Sequence, residues 1–161
     1  MALISRLTIA LFSVLALMTT TTAAFAQKHG GILRQHIIDS PASMSIHEET
    51  TVVAERPMMG VFNNLVMFDQ HVAQNGLTSI VPDLATDWAW DETGTRLTFH
   101  LHQGVKWHDG KPFTAADVKC TWDLLQGKTT EKLRLNPRKS WYNNLAEVIT
   151  TGDFEATFVL K

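Results

Sequence analysis

Residues 82–125, PDLATDWAWDETGTRLTFHLHQGVKWHDGKPFTAADVKCTWDLL, decide how this chain is built, because they hold two strand patterns, two tight turns and a capped helix in a fixed order. Leu97, Phe99 and Leu101 alternate with Thr98, His100 and His102, the period-two pattern of a strand with one buried face. Its partner is expected at Asp87 to Trp90, joined through Asp91-Glu92-Thr93-Gly94, whose residue types suit a tight turn. A second turn is read at His108-Asp109-Gly110-Lys111, with Gly110 free to take a positive φ. Thr114-Ala-Ala-Asp117 then opens a helix as a capping-box variant, with the acid near the positive helix end. Val118, Trp122 and Leu125 form the stripe expected to be buried.

Upstream of this block, residues 32–38 follow Gly30-Gly31, mix β-branched and polar residues, and stop at Asp39-Ser40-Pro41, as a first strand should. From Thr50 to Val66, Val53, Pro57, Val61 and Leu65, together with Met58 and Phe62, recur at helical spacing. Pro57 is expected to kink the helix or begin its regular part, so the helix is read as most secure after it. Downstream, residues 147–150 and 154–161 read as two strands around a Thr151-Gly152-Asp153 turn, with Phe154, Ala156, Phe158 and Leu160 on one face. The expected class is α/β, in the sense of mixed α+β.

The first 26 residues read as an export signal: Arg6 supplies a positive start, Leu7 to Met18 carries no charge, and Ala24-Phe25-Ala26 suits cleavage before Gln27. Twelve apolar residues in a helix rise about 18 Å, short of the ~30 Å hydrocarbon core. A cleaved leader is therefore expected rather than an anchor, with residues 27–161 as the exported portion. That portion carries thirteen basic against sixteen acidic residues. Such a balance offers no nucleic-acid footprint. Its basic residues are scattered except between Lys128 and Lys139, a run read as a solvated loop. The single cysteine, Cys120, forms no internal disulfide and is expected to pack as a small apolar residue. No repeat or low-complexity linker divides residues 27–161.

The order of these pieces resembles the family 5 extracellular solute-binding proteins of ABC importers, which include peptide, dipeptide, opine and nickel binders. The likeness is carried by Val81-Pro82-Asp83-Leu84-Ala85, Trp88, Asp91, Gly94 and Leu97-Thr98-Phe99-His100-Leu101. It continues through Gly104-Val105-Lys106-Trp107-His108-Asp109-Gly110, Pro112-Phe113-Thr114-Ala115 and Asp117-Val118. The resemblance implies a periplasmic-binding-protein-like II fold, truncated here to the beginning of the first of two lobes, since members are several times longer. It implies a periplasmic, monomeric substrate-binding component that hands a peptide or similar small solute to ABC permease subunits. Two departures bear on the ligand: Met44-Ser45-Ile46-His47 where a Leu-Asp-Pro is usual, and Phe62-Asn63-Asn64-Leu65 where Tyr-Glu-Gly-Leu is common. Two further readings stay open, a self-contained periplasmic interaction domain and a nickel-type solute binder.

By the same resemblance, ligand contacts are expected at Ile46, His47, Glu48, Glu55, Arg56 and Trp141. The charged members suit the ends of a peptide, and Trp141 suits an apolar side chain. A closed site buries about 70–90% of a small ligand by using two walls. One wall alone would reduce a micromolar interaction of about −8 kcal/mol toward about −4 kcal/mol, near millimolar. No catalytic residue is expected, because no Gly-x-Ser-x-Gly elbow, His-Glu-x-x-His helix or phosphate-cradling loop is present. Adjacent Glu48 and Glu49 point apart in either regular structure. His100, His102 and His108 are read as solvent-facing or turn residues, so neither a metal site nor a cofactor is expected.

Overall fold

A computed structural model describes residues 31, 32 and 34–161. The export signal read at residues 1–26 lies outside them. The chain divides into a unit ending at His36 and a unit spanning Ile37–Lys161. All the regular elements described below belong to the second unit. No helix among the described residues is long and apolar enough to cross a membrane.

The elements run α1 (Val52–Met58), β1 (Val66–Phe68), β2 (Ile80–Pro82), β3 (Ala85–Trp90), β4 (Arg96–Leu101), α2 (Ala115–Gln126), β5 (Leu145–Thr150) and β6 (Glu155–Leu160). β1 and β2 form a small antiparallel pair, and the other strands form an antiparallel sheet in the order β3-β4-β6-β5. The β3-β4 and β5-β6 hairpins meet along β4-β6, where Leu97 faces Phe158 and Phe99 faces Ala156. α2 packs across one face of this sheet, and the mixed α/β class expected from the pattern is what forms.

The alternation in β4 and β6 sends Phe99, Leu101, Ala156 and Phe158 to that covered face, where they meet Val118 of α2 and Val148 of β5. Phe158 is the hub: Phe99 lies edge-on to it at 5.3 Å and Trp122 at 5.1 Å. Such pairs contribute about 0.5–1.5 kcal/mol each beyond the apolar area they bury. Trp122 also meets Tyr142 edge-on at 4.8 Å, which ties the 3-10 turn Lys139–Tyr142 to the helix.

The turn chemistry behaves as expected. Asp91 Oδ1 accepts the Thr95 and Arg96 amides at 3.0 and 3.1 Å, and Gly94 takes φ +66°. At the second turn the Gly110 amide donates to Trp107 O at 2.9 Å, with φ +86° at Gly110. The Thr114 amide donates to Asp117 Oδ2 at 2.8 Å, the reciprocal half of the capping box. α2 ends at Gly127 in the left-handed conformation, as a helix C-terminus favours.

Three expectations are corrected. The described residues of the first strand, 32 and 34–38, adopt no strand, and Ile32 and Ile38 stand exposed. α1 lies before and through Pro57 rather than after it. The chain beyond Pro57 is claimed by tertiary partners: Asp83 accepts the Asn63 side-chain amide at 2.9 Å and the Asn64 backbone amide at 2.7 Å. Residues 66–68 then pair with β2, and Val61, Phe62 and Leu65, which looked helical, lie in the turn and coil that lead into that strand. Cys120 is exposed, because it sits two residues, about 200° of helix, from buried Val118.

Candidate functional site

Four of the six residues expected to touch ligand are gathered by one side chain that was not among them, Arg138. Its Nη1 donates to the Ile46 carbonyl at 2.8 Å, and its Nη2 faces the Glu55 carboxylate. Its guanidinium also lies over the Trp141 ring, 5.7 Å from the centroid. His47 is half-buried at the same place, and its imidazole is held below its ordinary value of 6.5, first by burial and then by the Arg138 charge.

Four residues upstream, Arg134 makes a parallel connection. Its backbone amide donates to Glu48 Oε1, and its Nη2 lies 3.9 Å from Glu49 Oε1. The turn at residues 45–49, closed by the Glu48 and Glu49 amides on Ser45 O, is thereby fastened to residues 134–141 across about ninety residues of sequence. α1 joins the same cluster through Glu55. Arg56 does not; it is exposed, with no ion pair among the described residues.

The basic run Lys128–Lys139 is an exposed loop, as composition suggested, with Lys128, Lys132, Arg134 and Lys139 open to solvent and Arg138 partly covered, and several hydrogen bonds tie it down. Lys128 Nζ donates to Ala146 O, Lys132 Nζ to Gly127 O at 2.7 Å and to Thr129 O, and the two arginines hold the 45–56 segment. The cations near Gly127 also face the negative end of α2, a favourable placement. A signal for Arg134 and Arg138 did exist: an acidic string, Glu48, Glu49 and Glu55, opposes a basic one. Nothing local in either string says that they meet.

Chemically, the cluster combines engaged charges with one open aromatic face. Its carboxylates Glu48, Glu49 and Glu55 are engaged by arginine groups, while Trp141, under the Arg138 guanidinium, keeps 68% of its surface exposed. A flat, partly apolar surface backed by fixed charge suits stacking and hydrogen bonding. A separate open recess of about 160 Å³ lies between Met59, Phe62, Asn63, Asn64, Met67 and Asp83. None of the six expected contact residues lines it.

The three histidines are apart in role. His100 bridges strands on the uncovered sheet face, with Nδ1 2.6 Å from Asp87 Oδ1 and Nε2 3.6 Å from Glu155 Oε2. The Asp87 hydrogen bond raises the His100 pKa and, in return, lowers that of Asp87. His102 follows β4, with its amide on Leu84 O at 2.9 Å, and His108 lies in the second turn. Among the described residues, no group of three or more His, Cys, Asp or Glu side chains is placed to hold a metal ion.

Comparison with known proteins agrees with this architecture. Residues 79–161 match the family described as bacterial extracellular solute-binding proteins, family 5, middle region. The periplasmic murein peptide-binding protein MppA of Escherichia coli is 34% identical over 116 residues, 72% of this chain and 19% of that protein. The dipeptide-binding protein of Escherichia coli is 45% identical over 77 residues, 48% of this chain and 14% of that protein. Among solved structures, the oligopeptide-binding protein AppA of Bacillus subtilis, in complex with a nonapeptide, superposes with a TM-score of 0.63. It is 26% identical, over 78% of this chain and 23% of that one. The chain thus spans less than a quarter of the length of these relatives, which are solute-binding proteins rather than enzymes. With residues 79–161, just over half of its 161 residues, matched by that one family, the chain belongs to the bacterial extracellular solute-binding proteins of family 5.

Proposed function

We propose that this protein serves an ABC importer as its substrate-binding component, capturing a peptide or similar small solute in the periplasm for delivery to membrane permease subunits. The observation that carries this reading is the likeness to the murein peptide-binding protein, 34% identical over 72% of the chain. In this reading residues 1–26 direct export and are removed, and residues 27–161 form the start of the solute-binding domain. Ile46, His47, Glu48, Glu55 and Trp141 supply one wall of the solute site, with Arg138 holding them together. Trp141 stacks on an apolar side chain of the solute, and the fixed charges around it orient the peptide ends. No chemistry is done on the solute; ATP hydrolysis by partner subunits drives its transport.

The test is a titration of the isotope-labelled chain with di-, tri- and nonapeptides, followed by NMR. Peptide is expected to shift the amides of residues 46–48 and the Trp141 indole N–H. The dissociation constant should lie near ~1 mM, corresponding to about −4 kcal/mol, because the described residues present a single open wall. Shifts confined to other parts of the chain, or a response to sugars and not to any peptide, would overturn the reading.

A further inference from the structure

The turn at residues 45–49 reaches the rest of the molecule through charged contacts, and a titratable ring sits among them. Arg138 holds the Ile46 carbonyl from one side, and the Arg134 amide holds Glu48. His47, between these two anchored residues and next to the Ile46 carbonyl that Arg138 holds, is half-buried within reach of the Arg138 charge. The carboxylates of this cluster are already engaged: Glu48 with the Arg134 amide, Glu49 with the Arg134 guanidinium, and Glu55 of α1 with Arg138. Protonating His47 therefore adds a second positive charge beside Arg138 in a partly dehydrated place, which both burial and Coulomb repulsion oppose. That cost is relieved if the turn lifts away and the ring returns to water.

We infer that the 45–49 turn is an acid-sensitive latch, closed onto Arg138 while His47 is neutral and released when His47 gains a proton. The inference rests on the reading of this cluster as one wall of the solute site, and it adds a regulating role to the place of His47 in that wall. The sign follows from linkage. A base whose folded pKa lies below its ordinary value stabilises the docked turn above about pH 6.5, and that contribution is lost as pH falls through the folded value. Release would loosen Ile46 from Arg138, whose guanidinium lies over Trp141, so a solute held at this wall would leave more readily in mildly acidic surroundings.

Hydrogen exchange on the full chain between pH 7.5 and pH 5, corrected for the intrinsic pH dependence of exchange, tests the latch without any solute. The Glu48 and Glu49 amides, which close the turn on Ser45 O, should lose protection as pH falls, while the core amide of Leu101, bonded to Phe154 O, keeps its own. His47→Gln, which stays neutral, should make the profile flat. Arg138→Gln should weaken the pH dependence by removing the opposing cation. A flat profile in the parent chain, the same pH dependence in His47→Gln, or equal loss at Leu101 would each overturn the inference. Failure of every peptide to bind would overturn the solute reading while leaving the exchange result intact, so the two fail separately.

Discussion

Replacing Arg138 with alanine removes three contacts at once, and the structure gives the scale of each. The bond to Ile46 O, 2.8 Å long and made by a charged donor, is worth about 1.5–3 kcal/mol. The pair with Glu55 joins an arginine side chain 14% exposed to a carboxylate 41% exposed. Water screens its open side, which discounts that pair to about 0.5–1 kcal/mol. The guanidinium over Trp141 contributes about 0.5–1 kcal/mol, the range for an exposed ring. These values share one ordered guanidinium and are not additive, so a net loss of about 2 kcal/mol is expected. The loss should be local. The sheet core around Phe158 touches none of these contacts, whereas residues 45–56 depend on them. Two kcal/mol corresponds to roughly a 30-fold larger opening equilibrium. Amide exchange at Glu48, Glu49, Ala54 and Glu55 should therefore accelerate by about that factor in the EX2 regime, while Leu101 and the β4-β6 ladder keep their protection. A double-mutant cycle with Glu55→Gln should show coupling of about 0.5–1 kcal/mol, the Glu55 share alone. Unchanged exchange at residues 48–55, or equal acceleration in the sheet, would refute the assignment of Arg138 as the tie between these segments.

Val148 is fully buried beneath α2, so Val148→Ala deletes two methyl groups where the sheet cannot collapse around them; a loss of about 2 kcal/mol is expected in denaturant unfolding, and a loss below about 0.5 kcal/mol would contradict the packing described. Asp117→Ala removes the acceptor of the Thr114 amide at the start of α2 and should cost about 1 kcal/mol, with Asp117→Glu recovering part of it. Asp87→Asn should bring the raised His100 pKa back toward 6.5, as followed by the ring proton shifts; an unchanged titration would show that Asp87 is not the cause. The sign for that pair is opposite to that of His47: its contribution is complete below about pH 6.5 and fades as pH rises through the folded His100 value.

Much of the sheet was legible in residues 82–125 because its determinants are local. The apolar-polar alternation of β4, the Asp91-to-Gly94 turn and the Thr114–Asp117 cap each act within a few residues, and the structure forms all three. The 57–66 segment was misread for the converse reason. Val61, Phe62 and Leu65 fit a helix face, but Asp83 and β2, about twenty residues away, offer Asn63, Asn64 and residues 66–68 better partners. Cys120 was misplaced by its type, whereas its position on α2 relative to Val118 would have put it outside.

For the candidate site, the residue types were readable and the meeting point was not. The sequence alone determined that Glu48, Glu49 and Glu55 form an acidic string, that residues 128–139 are basic and that Trp141 is a large aromatic near a strand. Only the tertiary structure decided that Arg138 takes the Ile46 carbonyl, the Glu55 carboxylate and the Trp141 ring together, leaving Arg56 outside. The physical reason is range. Periodicity, turns and caps are settled by neighbours along the chain, while an ion pair between residues eighty to ninety apart exists only after the sheet and α2 have packed and brought both segments to one place.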